Sequence, residues 1–567
     1  MVLSRSSKFL FIGIISWIVF ISIPSCYWFY TLFSVDSFED FRAAIISEFQ
    51  DVYLDNQLDE FFIFEEHYLS VSHQLHIILA LFISLIALTC AGIYYLFKKS
   101  APLTFKAQTF SQNQLLLLYA LGIAWVGYKA FLFFHFPLHI DEVFDFIYYS
   151  KKNLMVRHTY QFNDNVQWLN NHVLYTDLSS LALNLGAGDQ LAIRIPSILG
   201  EFCLLAMIFL WFANQGFSKA FFITTAVALS FWSGIYSIQG RSYHLLAVFS
   251  VASYFCFESY LKDKNSLYLL LGAWVTSMGL ATNKMFIIHC CALFIYAIFH
   301  IKCFTHKEKV LLLNSVLLAS IMTLIFYFPV LLVSGWRNII LHSLSTELLD
   351  WTLIHMEILK NISVITNANN KAYLLLMLPL VLFLLFKRHL SSPTTHLFYY
   401  FTVQLIMPIL FSLIMHTYIP FRSLIYMNVT FTLLTGSMMY DWASRHHSFK
   451  LLILTIMIGL LAINTWLNFS YTWLHRIKGY VYDKDFYYAL NQELEMVNTI
   501  NTKQIWIARD LHFHLFYSKL KFPEATKNMD STYQPQENDV VISADILNNA
   551  EVLYTSPIEG AIIQKLK

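Results

Sequence analysis

Charged residues are scarce in this sequence. Of its 567 residues only 13% are charged, whereas 57% are hydrophobic and 17% are aromatic; soluble domains typically carry about 25% charged residues. The formal net charge is +1, and no basic stripe is available to neutralise the phosphates of a nucleic acid, so we expect no such partner. The composition predicts a polytopic membrane protein, with the lipid bilayer as its surroundings.

The motifs of several enzyme classes are also missing. The sequence contains no Walker loop, no GxGxxG and no GxSxG, which weighs against an ATP-driven pump, a soluble nucleotide site and a serine hydrolase. The seven cysteines lie in or beside apolar runs and form no CxxC pair, so they predict neither a disulfide framework nor a metal motif. No spacing of His, Cys and Asp names an ion. We therefore predict no certain cofactor and leave a divalent metal open.

The hydrophobic residues form about thirteen runs that could cross a bilayer. They include runs from about Leu75 to Phe97, Leu191 to Ala213, Ala220 to Ile235 and Tyr373 to Phe386. The first, from about Phe9 to Phe33, is longer than the apolar part of a signal peptide and is not followed by a clear cleavage site, so we expect a retained helix. Basic residues such as Lys98 and Lys99 follow alternate runs. Because cytoplasmic loops are rich in Lys and Arg, this pattern predicts a cytoplasmic N-terminus and an outer C-terminus in a plasma membrane, such as the bacterial inner membrane.

A change in composition after Tyr471 sets the last part of the chain apart from the apolar runs before it. Residues 1–114 hold two apolar helices with an acidic outer loop, residues 115–470 hold the main membrane domain, and residues 471–567 are richer in charges and turns. The last part contains the β-like runs KQIWIARD, NDVVISAD and AEVLYTS and the helical run DFYYALNQELEMVNTI. The expected fold is therefore mainly α, a helical membrane bundle with a small extracytoplasmic α/β domain at its C-terminal end.

The third apolar run, from about Leu115 to Phe134, is followed by a long amphipathic segment that we interpret as an outer loop, and two adjacent carboxylates, Asp141 and Glu142, stand near its start. Carboxylates this close to a membrane exit are costly to desolvate, and they are suited to chemistry on a lipid-linked substrate. The alternative interpretation is an exposed pair that only marks the water boundary. Farther along the same segment, Asp145, Asp164 and Asp177 are interpreted as loop caps or solvated groups.

Several cations stand at predicted outer ends of helices, where Lys and Arg are normally sparse. Arg194, Arg241, Lys284 and Arg422 could together hold a phosphate through charge-assisted hydrogen bonds. Each could instead extend toward lipid headgroups. His172, in WLNNHVLY, is a further candidate for the binding site, with a structural role as its alternative.

The order of these motifs resembles the GT-C membrane glycosyltransferases, in particular the protein O-mannosyltransferase and lipid A aminoarabinose transferase group. The resemblance rests on an apolar helix followed by HIDE, on NNHVLYTDLSSLALNLGAGDQLAIRIPSILG, on FWSGIYSIQGRSYHLLAVFSVASYF and on YIPFRSLIYMNV. It covers about Leu115 to Phe469. It implies a GT-C type bundle and transfer of a sugar, with inversion, from a polyprenyl-phosphate donor to a lipid, glycan or protein acceptor on the outer face.

The resemblance also implies roles for individual residues. Asp141 would be the general base that takes the proton of the acceptor, and Glu142 would orient the acceptor. Arg241, Arg422 and Lys284 would stabilise the leaving phosphate.

The chain departs from the family in two places. It reads Asn170, Asn171, His172, Val173 where the aminoarabinose group has a Glu-Lys-Pro-Pro element, so lipid A is not supported as the acceptor, and the two helices before Leu115 are additional. A transporter or flippase for lipid-linked sugars remains an alternative, although the sequence has no evident internal repeat and only 17 Gly and 12 Pro. Further alternatives are a non-catalytic subunit for envelope-glycan assembly and a ligase or polymerase of undecaprenyl-linked glycans.

Overall fold

The computed structural model of the chain is mainly helical. It describes residues 5–49, 65–101, 109–135, 138, 140–159, 172–333, 335, 390–415, 419, 421–445, 450–467, 484–500, 504–508, 511–522, 525–528, 535–556, 558 and 560–566. Within these segments, seven helices are long and apolar enough to cross a membrane, and three shorter helices are also apolar. The protein therefore has the character of a multi-pass membrane protein.

The helices follow the apolar runs closely, because a chain in lipid must satisfy its backbone hydrogen bonds internally. In the first half of the chain they are α1 (Arg5–Ser34), α2 (Phe38–Phe49), α3 (Glu65–His73), α4 (Leu75–Lys98), α5 (Gln112–His135), α6 (Ile140–Asp145), α7 (Leu154–Thr159), α8 (Val173–Asn184), α9 (Asp189–Ala213), α10 (Phe217–Ala228), α11 (Phe231–Tyr236), α12 (Tyr243–Asp263) and α13 (Ser266–Thr282).

The later helices are α14 (Phe286–Phe299), α15 (His306–Val333), α16 (Ser392–Met415), α17 (Ile425–Ala443), α18 (Lys450–Leu467), α19 (Lys484–Thr499) and α20 (His512–Lys521). A π-helical turn, Phe146–Ser150, follows α6 directly, and 3₁₀ turns lie at Ile301–Cys303 and Phe421–Leu424. The seven long apolar helices are α1, α4, α5, α9, α12, α15 and α16, and the three shorter ones are α10, α13 and α14.

The expected count of about thirteen spans is met only in part. The predicted span from Tyr373 to Phe386 lies outside the described residues. The predicted span from Ala220 to Ile235 is two shorter helices, α10 and α11, which are separated at Ser230. The Ser230 hydroxyl donates to Asn428 Oδ1 at 2.8 Å, so this break contacts α17.

The two N-terminal spans pack into the bundle. Trp17 of α1 stacks on Phe326 of α15 with ring centroids 6.2 Å apart, and its indole N–H donates to Ser277 Oγ of α13 at 3.2 Å. The ring centroid of Phe82, on α4, lies 4.8 Å from that of Phe328 on α15. These buried aromatic contacts make α1 and α4 part of the same hydrophobic core as the later helices.

The short helices α7 and α8 are joined by buried ion pairs. Asp177 of α8 accepts hydrogen bonds from Arg157 Nε and His158 Nε2 of α7, each at 2.7 Å. Asp177 and Asp145 are both buried, so the prediction that they are loop caps or solvated groups is wrong: each is part of an ion-paired interior. Asp164 lies outside the described residues.

The C-terminal part contains the predicted sheet. Its strands are β1 (Ile505–Ile507), β2 (Thr526–Asn528), β3 (Val540–Ser543), β4 (Ala550–Thr555) and β5 (Ile562–Leu566). The sheet order is β2-β1-β3-β5-β4. Strand β1 runs parallel to β2 and β3, whereas β5 runs antiparallel to β3 and β4. Side chains from β1, β3, β5, α19 and α20 form a hydrophobic core of their own.

Candidate active site

Helix α6 carries the acidic pair and a third carboxylate. Asp141, Glu142 and Asp145 are only 8%, 1% and 2% exposed. The pair therefore does not stand open at a water boundary. Asp141 and Asp145 are four residues apart, which places them on one face of the helix. Buried carboxylates are stable only when charged or hydrogen-bonding groups compensate them.

Two arginines supply that compensation. Arg241 donates through Nη1 to Asp141 Oδ2, and its Nε lies 3.2 Å from Asp145 Oδ2. The Nε of Arg194 lies 3.9 Å from Glu142 Oε1, while its Nη1 donates to the backbone oxygen of Phe133 at 2.8 Å. Both guanidinium groups are buried. We call Asp141, Glu142, Asp145, Arg194 and Arg241 the carboxylate–arginine cluster.

The segment before α12 is fitted closely against this cluster. The backbone N–H of Gly240 donates to Glu142 Oε1. The hydroxyl of Ser197, on α9, donates to the backbone oxygens of Gln239 at 2.8 Å and of Arg241 at 3.1 Å. A Cβ atom at Gly240 would lie 2.1 Å from Ile193 Cγ2 and 2.8 Å from Glu142 Oε1. Only glycine therefore fits between α6 and α9 at this position.

His172 joins the same region from the start of α8. It is buried, and its Nδ1 shares a hydrogen bond with Ser242 Oγ. Its ring meets that of Tyr243 edge to face at 5.2 Å, and the guanidinium of Arg241 lies 5.6 Å from the centroid of the Tyr243 ring. The structure thus brings His172, Arg241 and the acidic pair together from three separate parts of the sequence.

Tyr175 is a site residue that the sequence did not single out. Burial, followed by the negative charges of Glu142 and Asp145, raises the pKa of Tyr175 well above its usual value of 10.0. Its phenol is therefore a neutral hydrogen-bond donor at neutral pH. His172 immediately precedes α8 and Tyr175 lies in its first turn, and this closeness in sequence was the available signal.

The other two predicted cations are placed differently. Lys284 lies in the turn between α13 and α14, and its ammonium is 5.8 Å from the ring centroid of Tyr327. The backbone of Arg422 lies on the 3₁₀ turn before α17, but its side chain lies outside what the structure describes. A shared phosphate site for these residues stays a prediction.

A second ion pair lies within the membrane-spanning helices and was also missed by the sequence interpretation. The ammonium of Lys129, on α5, is 2.6 Å from Glu201 Oε2 on α9 and donates to Ser237 Oγ at 2.6 Å. The indole N–H of Trp125 donates to the same carboxylate oxygen at 2.8 Å. Charged pairs at this depth are expensive to bury and are usually tied to function.

The cluster offers a carboxylate base together with cations that could meet an anion. Among the described residues, no group of three or more His, Cys, Asp and Glu side chains is arranged to hold a metal ion. No protein-family model matches this sequence, and no curated protein matches it either.

Proposed function

We propose that this chain is a membrane glycosyltransferase of the GT-C type that moves a sugar from a polyprenyl-phosphate donor to an acceptor, with inversion. The observation that carries the proposal is the ion pair of Asp141 with Arg241, buried at the end of the apolar helix α5. A base paired with an anion-binding cation is what displacement of a lipid phosphate by an acceptor hydroxyl or amine requires.

In this mechanism Asp141 takes the proton of the acceptor as the acceptor oxygen or nitrogen attacks the anomeric carbon. The bond from that carbon to the phosphate oxygen breaks, and the lipid phosphate leaves with the bonding electrons. Arg241 turns from Asp141 to the phosphate when the donor binds, which frees the carboxylate to act as base. Charge-assisted contacts of this kind are strong enough to compete with the resting ion pair.

Glu142 has the role of orienting the acceptor. It is fixed by the N–H of Gly240 and lies close to Arg194, so it is held more tightly than a surface carboxylate would be. His172 and Tyr175 are the additional polar groups beside the acceptor. Orientation by groups whose own positions are fixed is a large part of catalysis.

The remaining parts of the proposal follow the same chemistry. Lys284 and Arg422 are further contacts for the donor phosphate. Transfer takes place on the outer face of the plasma membrane, in a bundle of about thirteen spans with its N-terminus in the cytoplasm and its C-terminal domain outside. The acceptor is a lipid, a glycan or a protein.

A transporter for lipid-linked sugars is the second candidate, because a second network of polar side chains lies within the bundle. His289 on α14 is fully buried, with Ser253 Oγ 2.7 Å from Nε2 and Tyr400 Oη 2.9 Å from Nδ1. Toward the other end of α14, the hydroxyl of Tyr296 donates to Glu258 of α12 at 2.7 Å. Chains of intramembrane His, Tyr and Glu side chains are common in ion and substrate pathways.

The deciding experiment compares purified wild type with Asp141→Asn, using radiolabelled polyprenyl-phosphate sugars and membrane extract as the source of acceptors. We expect the variant to lose about two orders of magnitude or more in transfer rate, the usual effect of removing a general base. The matched control is Asp189→Asn. Asp189 is a half-exposed carboxylate that pairs with Lys151 at 2.7 Å outside the cluster, and the control should keep the wild-type rate.

Two results would contradict parts of the proposal. Full activity in Asp141→Asn would remove Asp141 from the chemistry while leaving the transferase itself intact. Absence of transfer by wild type, combined with binding of polyprenyl phosphate, would favour the transporter.

A further inference from the structure

Helix α20 of the C-terminal part has two apolar faces. Leu511, just before the helix, and Leu515 lie in the hydrophobic core that the sheet forms. Tyr517 and Leu520 instead contact the core of the helical bundle. A helix that is apolar on two sides is normally buried on both, so α20 joins the sheet to the bundle.

The second face of α20 meets the carboxylate helix. The hydroxyl of Tyr517 donates to the backbone oxygen of Leu138, three residues before Asp141, and Tyr517 is almost fully buried. Leu520 packs against a small hydrophobic cluster that includes Phe146, directly after α6, and Ile193 of α9. Ile193 is the residue against which Gly240 is fitted.

We propose that Tyr517 and Leu520 are positioning residues that hold α6 in its buried place, so that the C-terminal domain is one wall of the active site. The hydrogen bond fixes the chain on the N-terminal side of α6, and the Leu520 contact fixes the π-helical turn on its C-terminal side. The three carboxylates between these two points are kept buried against the arginines. The catalytic meaning of this wall rests on the proposed transferase function, but the wall itself does not.

The test is carboxyl labelling of the full-length protein in detergent, with a water-soluble carbodiimide and glycine ethyl ester, read by peptide mass spectrometry. In wild type we expect Asp141, Glu142 and Asp145 to be labelled slowly and the half-exposed Asp189 to be labelled fast. Tyr517→Phe keeps the ring but removes the donor. It should raise labelling of the three carboxylates about fivefold, the change in an opening equilibrium that corresponds to about 1 kcal/mol for one hydrogen bond.

Leu520→Ala tests the other contact, and Lys521→Ala is the control. Leu520 is not part of the sheet's own hydrophobic core, so the first variant loosens the contact with the bundle while the sheet stays folded. Lys521 lies 3.8 Å from Glu495 of α19. Its removal should leave the labelling unchanged. The proposal would be overturned if the three carboxylates were labelled at the wild-type rate in both Tyr517→Phe and Leu520→Ala. It would also be overturned if Lys521→Ala raised their labelling rate as much as those two variants do.

Transfer kinetics give the second measurement. If α20 positions the base, Tyr517→Phe should lower kcat while the KM for the donor stays near the wild-type value, because the donor phosphate is not bound by α20. A rise in KM with unchanged kcat would argue against positioning. The labelling experiment does not require the protein to transfer a sugar. It therefore tests the positioning role of Tyr517 and Leu520 separately from the proposed transferase function.

Discussion

Replacement of Gly240 by alanine should destabilise the protein strongly. The new Cβ would lie 2.1 Å from Ile193 Cγ2, 2.8 Å from Glu142 Oε1 and 3.1 Å from the backbone oxygen of Ile193. Carbon atoms in contact normally stand about 3.5 to 4.0 Å apart. The segment must therefore move away from α9 by more than an ångström.

Two costs add in this variant. Forcing an extra carbon into a packed interior costs about 1 to 3 kcal/mol. Displacement of the Gly240 N–H from the Glu142 carboxylate removes a hydrogen bond to a charged group, which contributes about 1.5 to 3 kcal/mol. Together they give a loss of about 2.5 to 6 kcal/mol. The loss is spatial in origin, because no left-handed backbone conformation is involved at this glycine.

Thermal unfolding in detergent, followed with a thiol-reactive dye, measures this loss. Cys256 is buried in α12 and becomes reactive when the bundle opens. Gly240→Ala should melt several degrees below wild type. Gly122→Ala is the control, because a Cβ there meets no atom within 4 Å and alanine is favoured in a helix, so it should melt at or above the wild-type temperature. Equal melting of the two variants would refute the argument.

Two further ion pairs give predictions of their own. Burial alone would raise the pKa of Asp177, but His158 and Arg157 lower it below its usual value of 3.8. The stabilisation is thus present above that value and is lost as the pH falls through the lower folded-state pKa. In melting experiments across pH, Asp177→Asn should lose about 3 to 5 kcal/mol at neutral pH and show a weaker acid dependence than wild type. Lys129→Met should lower the free energy of unfolding by a similar amount, because it leaves Glu201 buried without its cation. Adding Glu201→Leu to this variant should restore most of the lost stability. A double-mutant cycle of melting temperatures in which the two losses simply add would contradict this coupling.

The long helices could be predicted from the sequence because hydropathy is a local property. The predicted run from Leu191 to Ala213 is helix Asp189–Ala213, and the run from Leu75 to Phe97 is helix Leu75–Lys98. The hydrophobic β-like runs likewise became β1, β3 and β4. Strand β2 reads TKN, which has no apolar alternation, so it gave no signal and is fixed by pairing with β1.

The candidate site could be predicted only in part, because its ion pairs join distant parts of the chain. Arg241 and Asp141 are 100 residues apart, and a single sequence contains no information about such a contact. Asp145 was within reach, since its spacing of four from Asp141 is a helical spacing. It was misjudged because the segment after α5 was interpreted as an amphipathic outer loop, in which a carboxylate is normally solvated.

The charges of the cluster set a condition on the proposed donor. Three carboxylates face two guanidinium groups, so with all five ionised the cluster carries one net negative charge. A lipid phosphate brought to Arg241 would add at least one more in a buried setting, where like charges repel strongly. Counted over these five described residues alone, phosphate binding requires an additional cation, or a proton on one carboxylate. Lys284 and Arg422 are the cations that the transferase proposal supplies. If neither substitution to Gln weakens binding of polyprenyl phosphate, we expect the cluster to take up a proton with the donor, and binding should then weaken as the pH rises.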